Sequence, residues 1–303
     1  MPLPVERRPD LLAVGITSDD IQRRRRQGEL VSIRAGRYAD AGAFAALGPL
    51  EQYRLRCLAA AADLPDDAVL SHESAACLLG LPLWPAEPGT VRVTRPGHGG
   101  GHRRPSVHTR FAALPDGDVI VRGGVRLTGP ARTLVDLGRV RSFESAVVSA
   151  DAARHRGLVS AAELAAALDR AARTPRVGRA RQAMAFADGR SESVGESRSR
   201  VAIARAGLPA PDLQVELYSA ADGRFLGRSD FGWREQRTVG EFDGRIKYGR
   251  LVPSGRQPGD VVFQEKRRED LIRGEGITVV RWTWAELDDG TAADRIRRAL
   301  HLV

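Results

Sequence analysis

Three acidic residues late in the chain have the types and spacing of a cation site. Asp230 closes one apolar, β-prone run, and Glu241 and Asp243 lie in the next run, with the short polar segment 234–237 between the two. Side chains alternate along a strand, so Glu241 and Asp243 are expected on one face, and pairing across the turn would bring Asp230 beside them. Such carboxylates repel one another unless a cation lies between them, and Mg²⁺ or Mn²⁺ prefers oxygen ligands of this kind. The pattern predicts a divalent-metal site.

Lysine usage points to the same part of the chain. Of the 47 Lys and Arg residues, only Lys247 and Lys266 are lysines, and both follow the acidic residues closely in sequence. Lysine supplies a compact point charge that arginine does not reproduce. We therefore predict that one of these lysines acts beside the carboxylates. The alternative is that the two lysines were kept by chance in an arginine-rich chain.

The elements that would position these residues can be predicted from hydrophobic periodicity and from turn residues. The predicted elements are a helix at 191–206, strands at 213–218, 224–231 and 238–243, a loop at 255–259, a helix at 265–273 and a strand at 277–284. Gly274 is expected to end the second of these helices, and a final helix is expected to end near His301.

This order of elements resembles the PD-(D/E)xK nuclease superfamily, in the branch similar to very-short-patch-repair endonucleases. The resemblance rests on Asp230, on the Glu241-Phe-Asp243 motif of the next strand and on the Val279-Val-Arg-Trp282 strand. Segment 191–200 resembles the first helix of that family, with Glu196 as its acid. The third motif departs from the usual Glu-x-Lys, so the family's lysine would come from Lys247 or Lys266 or be absent.

The resemblance implies a restriction-endonuclease-like α/β/α core over residues 188–303 that hydrolyses phosphodiester bonds in DNA. Mg²⁺ or Mn²⁺ would be held by Asp230, Glu241 and Glu196. The full catalytic set that it implies is Glu196, Asp230, Glu241, Asp243, Lys247 and Lys266.

The start of the chain has the pattern of a winged helix-turn-helix over residues 1–42. Thr17 can cap a helix, with Asp20 as the reciprocal capping acid, and the helix should run through four consecutive arginines to Gly28. Two short strands should follow within 30–39, so that the helix enters the major groove and the hairpin forms the wing. A solvated arginine face is the alternative. The predicted phosphate contacts are Arg23, Arg24, Arg25, Arg26, Arg34 and Arg37.

Two segments resemble AbiEi-family antitoxins. The first is the stretch from Gly15 to Tyr38, and the second is Pro130-Ala-Arg-Thr-Leu-Val-Asp-Leu137 within a mixed α/β region, 43–187. The resemblance implies a second hypothesis, in which the protein is an antitoxin or transcriptional repressor with an inactive nuclease-like domain. Its partners would be a toxin or the promoter of its own operon.

The middle region should contain further helices and strands but carries no recognisable catalytic constellation. His72 and Glu73 are interpreted as capping or surface residues, and His98-Gly-Gly-Gly-His102 as a flexible basic connection. A break between helices is expected at 174–181. The predicted helices span 45–65, 71–80, 128–137, 143–154 and 160–173, and the predicted strands span 90–94, 106–111 and 119–127.

Composition and length place the chain among globular multidomain proteins, and the predicted elements with the resemblances imply an α+β or α/β class. It has 303 residues, 42% of them hydrophobic, and a net charge of +9. Residues 191–303 carry 19 basic and 18 acidic side chains, so the surplus belongs to residues 1–190 and favours nucleic acid as a partner. The absence of a long apolar run predicts no membrane segment and a cytoplasmic protein. Cys57 and Cys77 are expected to be buried thiols, and the oligomeric state stays open, a homodimer included.

Overall fold

The computed structural model describes residues 3–86, 89–104, 106–244 and 267–302. The chain splits into two compact units, Met1–Ala187 and Asp188–Val303. The boundary expected near residue 188 lies at the same position. Lys247, Lys266 and the loop at 255–259 lie outside the described residues. Among those described, no helix has the length and apolar character needed to cross a membrane.

The first unit begins with two helices and a small sheet. Helix α2 starts as predicted, because the Thr17 hydroxyl accepts a hydrogen bond from the Asp20 amide at 3.1 Å and the Asp20 carboxylate accepts one from the Thr17 amide at 3.1 Å. The predicted helix and hairpin are confirmed, and their assignment to a winged helix stays a prediction. The elements are β1 (Glu6–Arg7), α1 (Arg8–Ala13), α2 (Ser18–Arg26), β2 (Leu30–Arg34) and β3 (Arg37–Asp40), with strand order β1-β3-β2.

The rest of the first unit is a six-stranded mixed sheet with helices. Its strand order is β6-β7-β5-β4-β9-β8. The strands are β4 (Val69–Leu70), β5 (Val91–Arg95), β6 (His102–Arg103), β7 (Val107–Phe111), β8 (Val119–Arg122) and β9 (Val125–Thr128). The helices are α3 (Ala41–Ala45), α4 (Pro49–Ala61), α5 (His72–Leu78), α6 (Pro130–Val140), α7 (Phe143–His155), α8 (Ala161–Arg170) and α9 (Val177–Phe186).

Two sequence predictions for this region were wrong. The single strand expected at 119–127 is the hairpin β8–β9, because Gly123 and Gly124 both adopt positive φ (56° and 76°), as a two-residue turn requires. The break expected at 174–181 ends at Arg176, and α9 follows it. Gly138 lets α6 approach α9 so closely that a Cβ there would lie 2.8 Å from the Cα atom of Ala180. Cys57 and Cys77 are buried free thiols, as predicted.

The second unit has three layers, with a four-stranded sheet between helices. Its strand order is β10-β11-β12-β13, and only the β12–β13 pair is parallel. Phe231, Trp233 and Trp282 pack against the helices of one face, and Val239 packs against Ile272 on the other. The elements are α10 (Val194–Arg205), β10 (Asp212–Tyr218), β11 (Phe225–Trp233), β12 (Thr238–Asp243), α11 (267–274), β13 (Thr278–Thr283), α12 (Trp284–Asp289) and α13 (Thr291–Ala299).

The element order predicted for this unit is therefore confirmed, while its assignment to a nuclease core stays a prediction. One helix end differs from the prediction: α11 includes Gly274, and the positive φ of 72° falls at Gly276 in the turn that follows. A glycine in the left-handed conformation is the usual way to terminate a helix. Two residues further on, β13 enters the sheet beside β12.

Candidate functional site

Strand pairing brings the predicted carboxylates together. Phe231 of β11 lies opposite Gly240 of β12 in the antiparallel register, so Asp230 and Glu241 are neighbours on adjacent strands. The Phe242 amide donates a hydrogen bond to Asp230 Oδ2 at 2.9 Å. These carboxylates share a cavity of about 200 Å³ with Phe242, Asp243 and three arginines. The arginines that line this cavity are Arg228, Arg268 and Arg281.

The protonation of Asp230 is strongly perturbed in this cavity. The pKa of its carboxyl is raised to about 6, chiefly by burial; the hydrogen bond from the Phe242 amide opposes this rise, and the nearby charges of Glu196, Glu241 and Glu192 contribute to it. A buried carboxylate near other carboxylates is costly to ionise, which is a common property of functional sites.

Arginines neutralise Glu241. Arg268 Nη2 lies 2.9 Å from Glu241 Oε1, and Arg281 Nη2 lies 2.9 Å from Glu241 Oε2. Arg281 also lies 3.2 Å from Glu269 on α11. Glu241 Oε1 therefore accepts a charged hydrogen bond from Arg268, and Oε2 is ion-paired with Arg281.

Glu196, which the resemblance assigned to a metal, bonds to residues at the start of α10. Its carboxylate accepts hydrogen bonds from the Ser193 hydroxyl at 2.7 Å and from the Glu192 amide and the Gln214 side chain, each at 2.9 Å. Ser193 is the N-cap of α10, and Glu196 is 8% exposed. These bonds fix the start of α10 and use the carboxylate that the resemblance assigned to a metal.

The described residues do not fit a bound Mg²⁺ or Mn²⁺ ion. Across these residues, no group of three or more His, Cys, Asp or Glu side chains is placed to hold a metal. The oxygens of Glu241 and Glu196 are engaged by protein donors, and one oxygen of Asp230 accepts the Phe242 amide. The two lysines of the predicted catalytic set lie outside the described residues.

The arginines of α2 differ in their environments. Arg23 forms an ion pair with Asp20, and Arg24 lies 3.1 Å from Glu29. Arg25 and Arg26 are exposed, and neither has an ion pair with any residue in the described part of the chain. Arg25 and Arg26 are therefore the arginines of α2 that are available to an anion.

Two predicted phosphate contacts, Arg34 and Arg37 of the hairpin, lie beside the carboxylate of Asp63. Arg37 donates to both oxygens of Asp63, at 3.1 and 2.5 Å, and is 9% exposed. Arg34 lies 3.5 Å from the same carboxylate and donates to the Ala59 carbonyl at 3.4 Å. The structure thus corrects the prediction for Arg37, because its buried guanidinium already binds a carboxylate. Arg34 is partly exposed, and its contact with phosphate stays a prediction.

Sequence reasoning missed a buried charged cluster in the middle region. Asp136, 1% exposed, accepts hydrogen bonds from Arg132 at 2.9 Å and from Arg139 at 3.0 Å. His72 and Glu73 were expected at the surface or in a cap, but both are buried. The available signal was their context, a Ser-His-Glu-Ser run directly before the apolar sequence Ala-Ala-Cys-Leu-Leu.

The family comparison falls on this same region. Residues 68–186 match the AbiEi antitoxin C-terminal domain. The match covers less than half of the chain. It includes the six-stranded sheet, the Asp136 cluster and His72, so the AbiEi resemblance of the middle region is confirmed at the level of this domain.

Two curated relatives come from Mycobacterium tuberculosis, the uncharacterized proteins MT2308 and Rv2248. Each is 32% identical over 116 residues, which is 38% of this chain and 42% of the relative. The chain therefore spans less than half the length of these relatives. The crystal structure of the RV2827C protein from Mycobacterium tuberculosis is similar at 15% identity and a TM-score of 0.39, over 73% of this chain and 85% of that chain.

Proposed function

We propose that the protein is a DNA-binding regulator of the antitoxin type. The observation that carries this proposal is the last turn of α2, where Arg25 and Arg26 are exposed and have no ion pair with described residues. The basic surplus of the chain also lies within residues 1–190. The AbiEi antitoxin C-terminal domain at 68–186 supports a role in a toxin–antitoxin pair.

In this proposal, α2 and the β2–β3 hairpin contact the DNA backbone. Arginine contacts to phosphates supply affinity and orientation, and they release counterions, but they do not read sequence. The DNA partner would be the promoter of the operon that encodes the protein, and the protein partner would be a toxin that the AbiEi domain contacts. Both partners follow from the antitoxin family to which residues 68–186 are similar.

Replacing Arg25 and Arg26 together with Ala should weaken DNA binding about tenfold at moderate salt and reduce the salt dependence. Each lost phosphate contact should lower the slope of log Kobs against log salt by about 0.9. Fluorescence anisotropy with a labelled duplex of the upstream region, measured over a series of salt concentrations, gives both quantities.

The matched control is Arg122→Ala with Arg173→Ala, which removes two exposed arginines of the same unit that lie outside α2. This control should leave the salt slope within about half a unit of that of the original protein. Equal losses in both double variants would mean that general charge, and not α2, contacts DNA, and the proposal would fail.

DNA hydrolysis is a second candidate function, favoured by one observation. Asp230, with its raised pKa, and Glu241 line one cavity with three arginines. Arg268 and Arg281 are paired with Glu241 and Arg228 with Glu192, so a phosphate group would have to compete with these carboxylates for the guanidinium groups. Metal-dependent activity would require a ligand set beyond the one described. Its test is cleavage of supercoiled and linear DNA with Mg²⁺ or Mn²⁺.

The cleavage test compares the full chain with Asp230→Ala and Glu241→Ala. Nicking that both substitutions abolish would establish hydrolysis at this cavity. If the protein binds DNA but does not cut it with either metal, only the proposal of a DNA-binding regulator remains. The carboxylates and their arginines would then have a structural role.

A further inference from the structure

A second cleft lies within the AbiEi antitoxin C-terminal domain, separate from the residues discussed for DNA. Its volume is about 460 Å³, within the range of sites that hold small molecules. The cleft is lined by residues of α5, β7 and α6, by the glycine loop before β6, and by the segment before α9. Gly99 and Gly100 of that loop have open space around their Cα atoms, so the backbone there is accessible.

His72 faces this cleft in an unusual conformation. Its φ of 51° lies in the left-handed region, which is unfavourable for a residue other than glycine. The side chain is 5% exposed and lines the cleft, and its Nε2 atom has no hydrogen-bond partner in the described structure. A buried, unpartnered ring nitrogen held in a strained backbone indicates a site for a ligand.

The hydrogen bonds around His72 favour a ring whose proton lies on Nε2. The Thr94 hydroxyl donates to the Ser71 hydroxyl oxygen at 2.8 Å, and Ser71 Oγ lies 2.9 Å from His72 Nδ1. Because Ser71 already accepts from Thr94, its own proton is available to His72 Nδ1. A neutral ring that accepts this proton at Nδ1 carries its own proton on Nε2, which makes that atom a donor. Burial lowers the pKa of His72, in agreement with a neutral ring.

The charge of the cleft is strongly positive. Four arginines line it, with Asp136 as the single acid. Arg132 and Arg139 are bound to Asp136, whereas Arg110 and Arg176 have no ion pair with any described residue. Arg110 lies near enough to affect both His72 and Arg139 electrostatically. An excess of guanidinium groups beside a neutral donor favours an anion.

We propose that this cleft binds the phosphate group of a small molecule, with Arg110 as the principal cation and His72 Nε2–H as a hydrogen-bond donor. A metal ion is disfavoured, because the only lining acid already binds two arginines. The cleft also has an apolar side that includes Phe111 and Val140. It therefore has room for more than a bare phosphate, and a mononucleotide has the matching size and chemistry.

The experiment is isothermal titration calorimetry of the full chain, without DNA, using inorganic phosphate and AMP at constant ionic strength. Arg110→Ala and His72→Asn should each weaken binding at least about tenfold, because each removes one hydrogen bond to a charged group. Asn tolerates the left-handed conformation, so His72→Asn removes the Nε2 donor without additional backbone strain. Tighter binding of AMP than of phosphate would identify a nucleotide, and equal binding would identify phosphate alone.

Arg122→Ala is the matched control, since Arg122 is an exposed arginine of the same sheet that does not line the cleft. Its affinity for both probes should stay within about twofold of that of the original protein. The proposal is overturned if neither probe binds saturably at up to about 10 mM, or if Arg122→Ala weakens binding as much as Arg110→Ala. A thermal unfolding scan of each variant shows that it is folded. Because no DNA is present, failure here would leave the regulator proposal intact.

Discussion

Replacing Asp136 with Ala should lower the free energy of unfolding of the first unit by about 3–5 kcal/mol, because it leaves buried cations without their partner. Asp136 accepts hydrogen bonds from Arg132 and Arg139, and the side chains of both arginines are 14% exposed. Arg132 retains a second carboxylate, that of Asp118, at 2.9 Å. Arg139 retains only the Pro175 carbonyl among its described hydrogen-bond partners. Most of the loss should therefore arise at Arg139.

Hydrogen exchange with peptide resolution measures this effect in each unit separately. Peptides from α6 and α9 should exchange faster in Asp136→Ala, while those from β10–β13 should not change. The control is Asp169→Ala, whose side chain is 78% exposed and lies 3.7 Å from Arg181. A surface pair of this kind should contribute less than about 0.5 kcal/mol. Similar exchange in the two variants would show that the buried cluster does not stabilise the unit.

Local signals in the sequence were sufficient to predict those features of the structure that depend only on residues close together in the chain. The capping acids Asp20 and Glu163 bond back to Thr17 and Ser160 as their spacing predicts, since a capping box involves only four consecutive residues. The start of helix α9 was misplaced, because Pro175 precedes the helix and Gly178 is its second residue, and both residue types are typical of breaks. Packing of Ala180 and Ala183 against α6 and its neighbours stabilises this helix, and that information is not local.

In the candidate sites, too, local features could be predicted from the sequence and long-range contacts could not. The sequence predicted that Asp230 and Glu241 would meet, because alternation along the strands and a short turn were enough to place them. It could not predict that Arg268 and Arg281 would bind Glu241, since those arginines arrive from elements 27 and 40 residues later in the chain. For the same reason Arg37 was assigned to DNA, although it bonds to Asp63, 26 residues away.

The pairing of Glu241 with arginines also changes how the carboxylate cluster is understood. Three carboxylates were expected to need a metal cation, but guanidinium groups supply positive charge beside one of them. Among the described residues Asp230 has no arginine partner, and its Oδ2 atom accepts a hydrogen bond from the Phe242 amide. Asp230 is thus the acid whose ionisation the cavity opposes most, and the pH dependence of stability can test this.

Stability should fall as pH rises through the pKa of Asp230, and the Asp230→Asn variant should lack that loss. The pKa of the folded carboxyl is about 6, against 3.8 for an ordinary aspartate. A raised pKa means that the folded state binds the proton more tightly, so the stabilisation is complete below about pH 4 and is lost as pH rises through about 6. Relative to the original protein, Asp230→Asn should gain about 3 kcal/mol between about pH 4 and pH 7.5.

Urea unfolding of the two proteins at both pH values measures this difference, and Asn keeps a carbonyl oxygen that can accept the Phe242 amide. Asp294→Asn is the control, because its side chain is 62% exposed and should change stability little at either pH. Parallel pH profiles for the original protein and Asp230→Asn would contradict the raised pKa. Repeating the measurement with added Mg²⁺ separates the two proposed functions. A cation held by this cluster would stabilise ionised Asp230 and close the gap at pH 7.5, whereas a cluster that only the arginines neutralise would leave the gap unchanged.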